Sequence, residues 1–96
     1  MTGKQIRHLR SLGHELRPLV QLGKDGITEG VLQQIFDNLL AHELIKVKLP
    51  KITGPARKEM ATELAGQAEA ELVQVVGRSV LLYVPHPDKP RIVLPK

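Results

Sequence analysis

The stretch of this chain best suited to chemistry is Gly23-Lys24-Asp25-Gly26, followed at Thr28 by a residue able to start a helix. Glycine reaches positive φ and has no Cβ to hold a ligand away from the backbone. A helix beginning just beyond offers unpaired N–H groups and a partial positive charge. With the Lys24 ammonium beside them, these suit a phosphate group. The same residues would also serve as a plain bend from strand into helix, and spacing alone leaves both readings open. They do not form a nucleotide-hydrolysing P-loop. The glycine required five residues before Gly23 is Pro18, and Lys24 is followed by Asp25, not by Ser or Thr.

A second group of candidates lies near the N-terminus. Lys4, Arg7, His8 and Ser11 recur at helical spacing opposite Ile6, Leu9, Leu12 and Gly13, with Arg10 and His14 flanking the polar side. No acid appears before Glu15. Such a face is either a solvated surface or a landing site for phosphates. Arg78, at the tip of an expected hairpin, has the same two readings.

Other chemistries find less support. His8 and His14 have no carboxylate at metal-ligand spacing, and His42 and His86 stand apart, so all four are read as surface histidines. Ser11 and Ser79 lack the context of a nucleophile elbow. The absence of cysteine excludes disulfides, thiolate zinc sites and thiol catalysis. A non-enzymatic protein with no metal, no cofactor and no small-molecule substrate is expected.

The elements must then position these groups. Ninety-six residues, 42% apolar and 25% charged, describe one globular domain with a modest core. No apolar run approaches the ~20 residues of a membrane helix. Nothing at the N-terminus reads as a signal peptide, so a cytoplasmic monomer without membrane contact is expected. The net charge of +4 is unevenly spread. Residues 1–26 carry five basic side chains against two acids and residues 73–96 four against one, whereas 27–72 have five against seven. Basic ends gathered on one face would suit a polyanion; scattered, they would only aid solubility.

Thr2 and Gln5 form a capping-box pattern that opens a first helix. Leu19–Leu22 reads as a short strand, with Pro18 tolerated only at its start or on an edge. Thr28 caps a second helix, whose Val31, Leu32, Ile35, Phe36, Leu39 and Leu40 are all expected in the core. Leu44–Leu49 alternates as a half-buried strand with Lys46 and Lys48 outward. Pro55 opens a third helix that buries Ala56, Met60, Leu64 and Ala68. Leu72–Val76 and Val80–Val84 form a hairpin around Gly77-Arg78-Ser79. Residues 85–96 are a proline-rich C-terminal tail, in which Ile92-Val93-Leu94 adds an edge strand or docks on the core. The order α-β-α-β-α-β-β predicts a single α/β domain over 1–96, with a mixed, mostly parallel four-stranded sheet and helices packed on it. The Gly23–Gly26 bend falls at the carboxyl end of a strand, where such sheets bind ligands.

One tyrosine, one phenylalanine and no tryptophan leave no platform for stacking successive bases. No zipper, zinc finger or helix-turn-helix pattern supports DNA readout. RNA held through phosphates, sugar hydroxyls and groove shape fits better, and a Gly-x-x-Gly loop ahead of a helix resembles the backbone clamp of KH domains.

Several motifs occur together in one order: TGKQ-x-x-x-LR at 2–10, GKDG-x-T-x-G-V at 23–31, HELIKVK at 42–48 and VQVVG at 73–77. In this the chain resembles the CRM domain (chloroplast RNA splicing and ribosome maturation) in its stand-alone bacterial, YhbY-type form. The likeness covers essentially the whole chain and is weakest over 53–71. It implies an α/β fold like the C-terminal domain of translation initiation factor three. It also implies RNA binding through the Gly23-Lys24-Asp25-Gly26 loop and adjoining basic surface, and association with large-subunit ribosomal precursors. Plant members carry transit peptides and several copies of the domain. One copy without a presequence matches a bacterial assembly factor better. The alternative is a protein-docking module that joins ribosomal particles through its tail or a strand edge.

Overall fold

Helix α1 (Gly3–Gly13) opens with the expected capping box in the computed structural model, which describes residues 1–96. The Thr2 hydroxyl accepts from the Gln5 N–H at 3.1 Å, and the Gln5 side-chain Oε1 accepts from the Thr2 N–H at 3.0 Å. Strand β1 (Pro18–Gln21), helix α2 (Glu29–His42), strand β2 (Leu44–Lys48), helix α3 (Gly54–Gln67) and strands β3 (Glu71–Val76) and β4 (Ser79–Tyr83) follow in the predicted order. Thr28 caps α2 by accepting from the Val31 N–H at 3.1 Å. Proline in the first turn of α3 occupies a position where its missing N–H costs nothing.

The sheet order is β1-β2-β4-β3. Strand β1 is parallel to β2, while β4 is antiparallel to both β2 and β3. Three of the four strands therefore run one way and β4 runs against them, which gives the expected mixed sheet with one parallel and two antiparallel pairs. The β3–β4 hairpin turns at Gly77, φ +56, and places its second strand between β2 and β3 instead of adding to an edge. Pro18 sits at the start of edge strand β1, where no ladder bond is lost.

Strand alternation gives the sheet two faces. Ile45, Val47, Val80 and Leu82 point to one side and form the larger core with Ile35 and Leu39 of α2 and Ala61, Leu64 and Ala65 of α3. Leu44, Val73, Leu81 and Tyr83 point to the other, where Leu9 of α1 packs on them. The α2 stripe is narrower than its sequence implied. Phe36 is 42% exposed and Leu40 55%, because the helix lies on the sheet along Ile35 and Leu39 and turns these two outward. Leu12 and Leu16 are likewise exposed at the end of α1.

Gly13 explains how closely α1 approaches. A Cβ there would stand 2.6 Å from Leu81 Cδ1, and Leu81 is itself buried. Gly13→Ala is expected to cost about 1 kcal/mol net, because overpacking of about 2 kcal/mol exceeds the gain of about 1 in helix propensity. Urea denaturation measures it, and a stabilised variant would show that Leu81 yields freely.

The tail docks and adds no strand. Ile92 and Leu94 pack beside Ile6 on the smaller core, and the Gln5 side-chain amide donates to Pro95 O at 3.1 Å. The two chain ends thus meet. Their latch is Glu43, whose backbone reverses direction at φ +67 between α2 and β2 and whose side chain is fully buried. One carboxylate oxygen accepts from the N–H groups of Arg91 and Ile92, at 2.8 and 3.0 Å, and the other from that of His86 at 2.8 Å. Arg91 adds an ion pair at 3.9 Å and donates to Ala41 O. His86, read as a surface residue, accepts through Nδ1 from the N–H groups of Asp88 and Lys89 and so shapes the same tail.

Candidate nucleic-acid interface

The ladder between β1 and β2 delivers the glycine loop to one end of the sheet. Gln21 pairs with Lys48, and the Leu22 N–H donates to Lys48 O at 2.9 Å. The chain then folds through Gly23–Gly26 as a turn closed by the Gly26 N–H on Gly23 O at 3.1 Å. Gly26 has φ +69, which an L side chain rarely adopts. A Cβ on Gly23 would meet nothing within 4 Å. Gly23, Lys24 and Asp25 are exposed. Thr28 is committed to its cap, leaving the N–H groups of Glu29 and Gly30 without helical partners. Glu29 also brings an acid into this first turn, so any attraction for an anion must come from neighbouring cations.

Two cations are at hand, one at the end of β2 and one in the β3–β4 turn. Arg78 lies beside the end of β2: its backbone carbonyl accepts from the Leu49 N–H at 2.6 Å, and its Nε donates to Leu49 O at 3.1 Å. Lys48 stands between, paired with Gln21 on one side and Ser79 on the other. The glycine loop and Arg78, far apart in sequence, therefore share one end of the sheet.

The basic side of α1 is only partly brought to this place. The helix runs from the docked tail, at Gln5 and Ile6, toward the loop end of the sheet, where His14 lines a groove with Lys46 and Ser79. Lys4 and Arg7 are exposed on the half of the helix nearer the tail. Ser11 donates to His8 O at 2.7 Å, a bond within the helix. Arg10 is tied down: its Nε donates to Val73 O at 3.3 Å, anchoring the helix to β3. His14 is the member of this set that adjoins the sheet surface near the loop.

The sequence alone marks Lys46 and Lys48 as outward-facing strand residues and not as site candidates. They project on the face that α1 shares, in the part that the helix leaves open. The signal for them was present in the Lys-Val-Lys alternation. What the sequence could not reveal was that β4 would lie next to them with Ser79 and no acid.

Three comparisons bear on this geometry. The CRS1 / YhbY (CRM) domain model matches residues 1–83. The chain is 37% identical over 95 residues to the probable RNA-binding protein YqeI of Bacillus subtilis, covering 99% of each. It is 36% identical over 96 residues to a protein of Haemophilus influenzae named an RNA-binding protein, covering 100% of this chain and 96% of that one. The solution structure of the hypothetical protein SAV1595 from Staphylococcus aureus superposes with a TM-score of 0.86 at 42% identity, covering 99% of both chains.

Proposed function

The chain belongs to the CRS1 / YhbY (CRM) domain family, and from that premise we propose that it is a non-enzymatic RNA-binding protein of the cytoplasm. It works as one domain over 1–96, tail included, and its target is large-subunit ribosomal RNA in a precursor particle. The observation that carries this reading is the exposed Gly23–Gly26 turn beside Lys48 and Arg78 at one end of the sheet. An RNA backbone lies against the glycines, with a phosphate near Lys24 and the free N–H groups of α2, and continues across Lys48 toward His14. Relatives named as RNA-binding proteins support the ligand class. The ribosomal target follows from the resemblance of the motifs.

Lys24→Glu is expected to weaken binding to structured ribosomal RNA about tenfold, equivalent to ~1.4 kcal/mol. Gly23→Asp should act in the same direction, since open space at Gly23 leaves the fold intact while a carboxylate repels the phosphate. Affinity should fall steeply with salt as counterions are released. Filter binding at several ionic strengths checks both expectations. Unchanged affinity in both variants would remove the loop from the interface.

A second reading has one observation in its favour. The outer edge of β1 is unpaired, and the exposed Leu12, Leu16 and Leu19 lie close by. A protein strand added there would make the chain a docking module, and its RNA affinity would then respond little to salt. Deleting 85–96 does not separate the readings cleanly, because it strips the buried Glu43 of all three of its N–H donors.

A further inference from the structure

The sheet face left open by α1 carries a groove of about 340 Å3 lined by His14, Lys46, Gln74, Val76, Ser79 and Leu81. We propose that this groove takes one unpaired nucleobase of the bound RNA and reads its hydrogen-bonding edge. The inference rests on the RNA-binding reading above and gives that surface a sequence preference.

Strand register builds the groove. Lys46, Leu81 and Gln74 form one cross-strand row, and Lys48, Ser79 and Val76 form the next. Residues two apart on a strand share a face, so both rows look the same way. Gly13 lets the last turn of α1 rest on Leu81, and that turn makes the groove's wall, with His14 at its rim. The floor is apolar: Leu81, and Val76 at 59% exposure. A planar ring can lie on such a floor.

Around it stand groups with unused hydrogen-bonding capacity. Gln74 offers an amide donor and acceptor, Ser79 a hydroxyl that does both, and Lys46 three donors. All three are half-buried, and none of their side chains bonds within the chain. Cations alone would serve for a phosphate. An amide and a hydroxyl facing a small void over an apolar floor serve instead for a base edge, the part of a nucleotide that carries sequence. The volume falls within the ~300–1,000 Å3 of clefts that hold small ligands. No aromatic side chain lines the groove, so it has no stacking partner for a run of bases.

The route for the strand is continuous. Gln21 pairs with Lys48 in the second row, and Gly23 follows two residues later. A backbone held at the glycine loop can therefore pass over Lys48 and deliver a base beside Ser79.

Short single-stranded homopolymers of A, C, G and U test this by fluorescence anisotropy. The parent protein is expected to separate the best from the worst by about tenfold. Gln74→Leu and, independently, Ser79→Ala should shrink that ratio to about twofold, with melting temperature and salt slope unchanged. Lys24→Glu should weaken all four by a common factor and keep the ratio, which separates failure of the loop from failure of the groove. In the parent, the best homopolymer should shift the NMR resonances of the Gln74 side-chain amide and the Ser79 N–H. Equal affinity for the four, a ratio untouched in both groove variants, or shifts at Gly23–Gly26 without any at Gln74 and Ser79 would overturn the inference.

Discussion

Glu43→Ala is expected to lower the unfolding free energy by about 3 kcal/mol and the melting temperature by about 15 °C. The carboxylate sits in a buried position and accepts from three backbone N–H groups of one tail segment. Removing it leaves those donors without an acceptor and Arg91 without its ion pair. Glu43→Gln keeps one acceptor oxygen and should fall between parent and alanine variant. Thermal melts measure the series, and an alanine variant within about 3 °C of the parent would show that water replaces the carboxylate without loss.

The same group makes stability depend on pH. Burial alone would raise the pKa of Glu43. The three backbone N–H groups of His86, Arg91 and Ile92, with the Arg91 charge, outweigh it and hold the pKa below the ordinary value of 4.5. A lowered folded-state pKa means that the unfolded chain takes up the proton first as the solution is acidified. The latch therefore contributes fully above the ordinary glutamate range and is lost as pH falls through its own lower pKa. Acid should loosen the tail, and Glu43→Gln should flatten this part of the stability profile. A parent and a glutamine variant that lose stability in parallel below about pH 5 would sink the assignment.

The double variant Lys46→Glu with Lys48→Glu should reduce RNA affinity about a hundredfold, each reversal contributing ~1.4 kcal/mol of lost attraction and new repulsion. Both side chains are half-buried on the open face, neither is in an ion pair, and their strand neighbours across β4 are Leu81 and Ser79. The fold thus loses no partner when the charges reverse. If each lysine meets one phosphate of a single strand, the slope of log affinity against log salt should also become shallower by about 1.4. An affinity within threefold or so of the parent would place the RNA elsewhere on the molecule.

Local signals carried most of the fold. Thr2 with Gln5, Thr28, Pro55 and Gly77 each mark an element end by chemistry that involves only near neighbours. The 3.6-residue stripe of α2 was equally plain, but periodicity cannot say how wide a contact the sheet provides, and Phe36 and Leu40 turned out to lie beyond it. Non-local choices stayed hidden. Nothing short-range distinguishes a hairpin that extends an edge from one that inserts its second strand, so the pairing of β4 with β2 could not be read. The glycine loop was legible because glycine spacing and a helix start stand side by side in the chain. The meeting of that loop with Lys48 and Arg78 depended on the same hidden pairing. Glu43 was missed because a His-Glu pair between helix and strand looks like surface until a tail 43–49 positions later supplies its donors.

The strand order also bears on how the chain is made. Translation delivers β1, β2 and β3 first, and β4 is nearly the last element to emerge, yet it is the one that joins β2 to β3. Until then both strands present bare backbone, open to pairing with a neighbouring nascent chain. Residues 79–83 act as a keystone: a product cut short before them is two unjoined fragments of a sheet, and its natural fate is aggregation or proteolysis. A protein put together this way completes its sheet only when residues 79–83 are available.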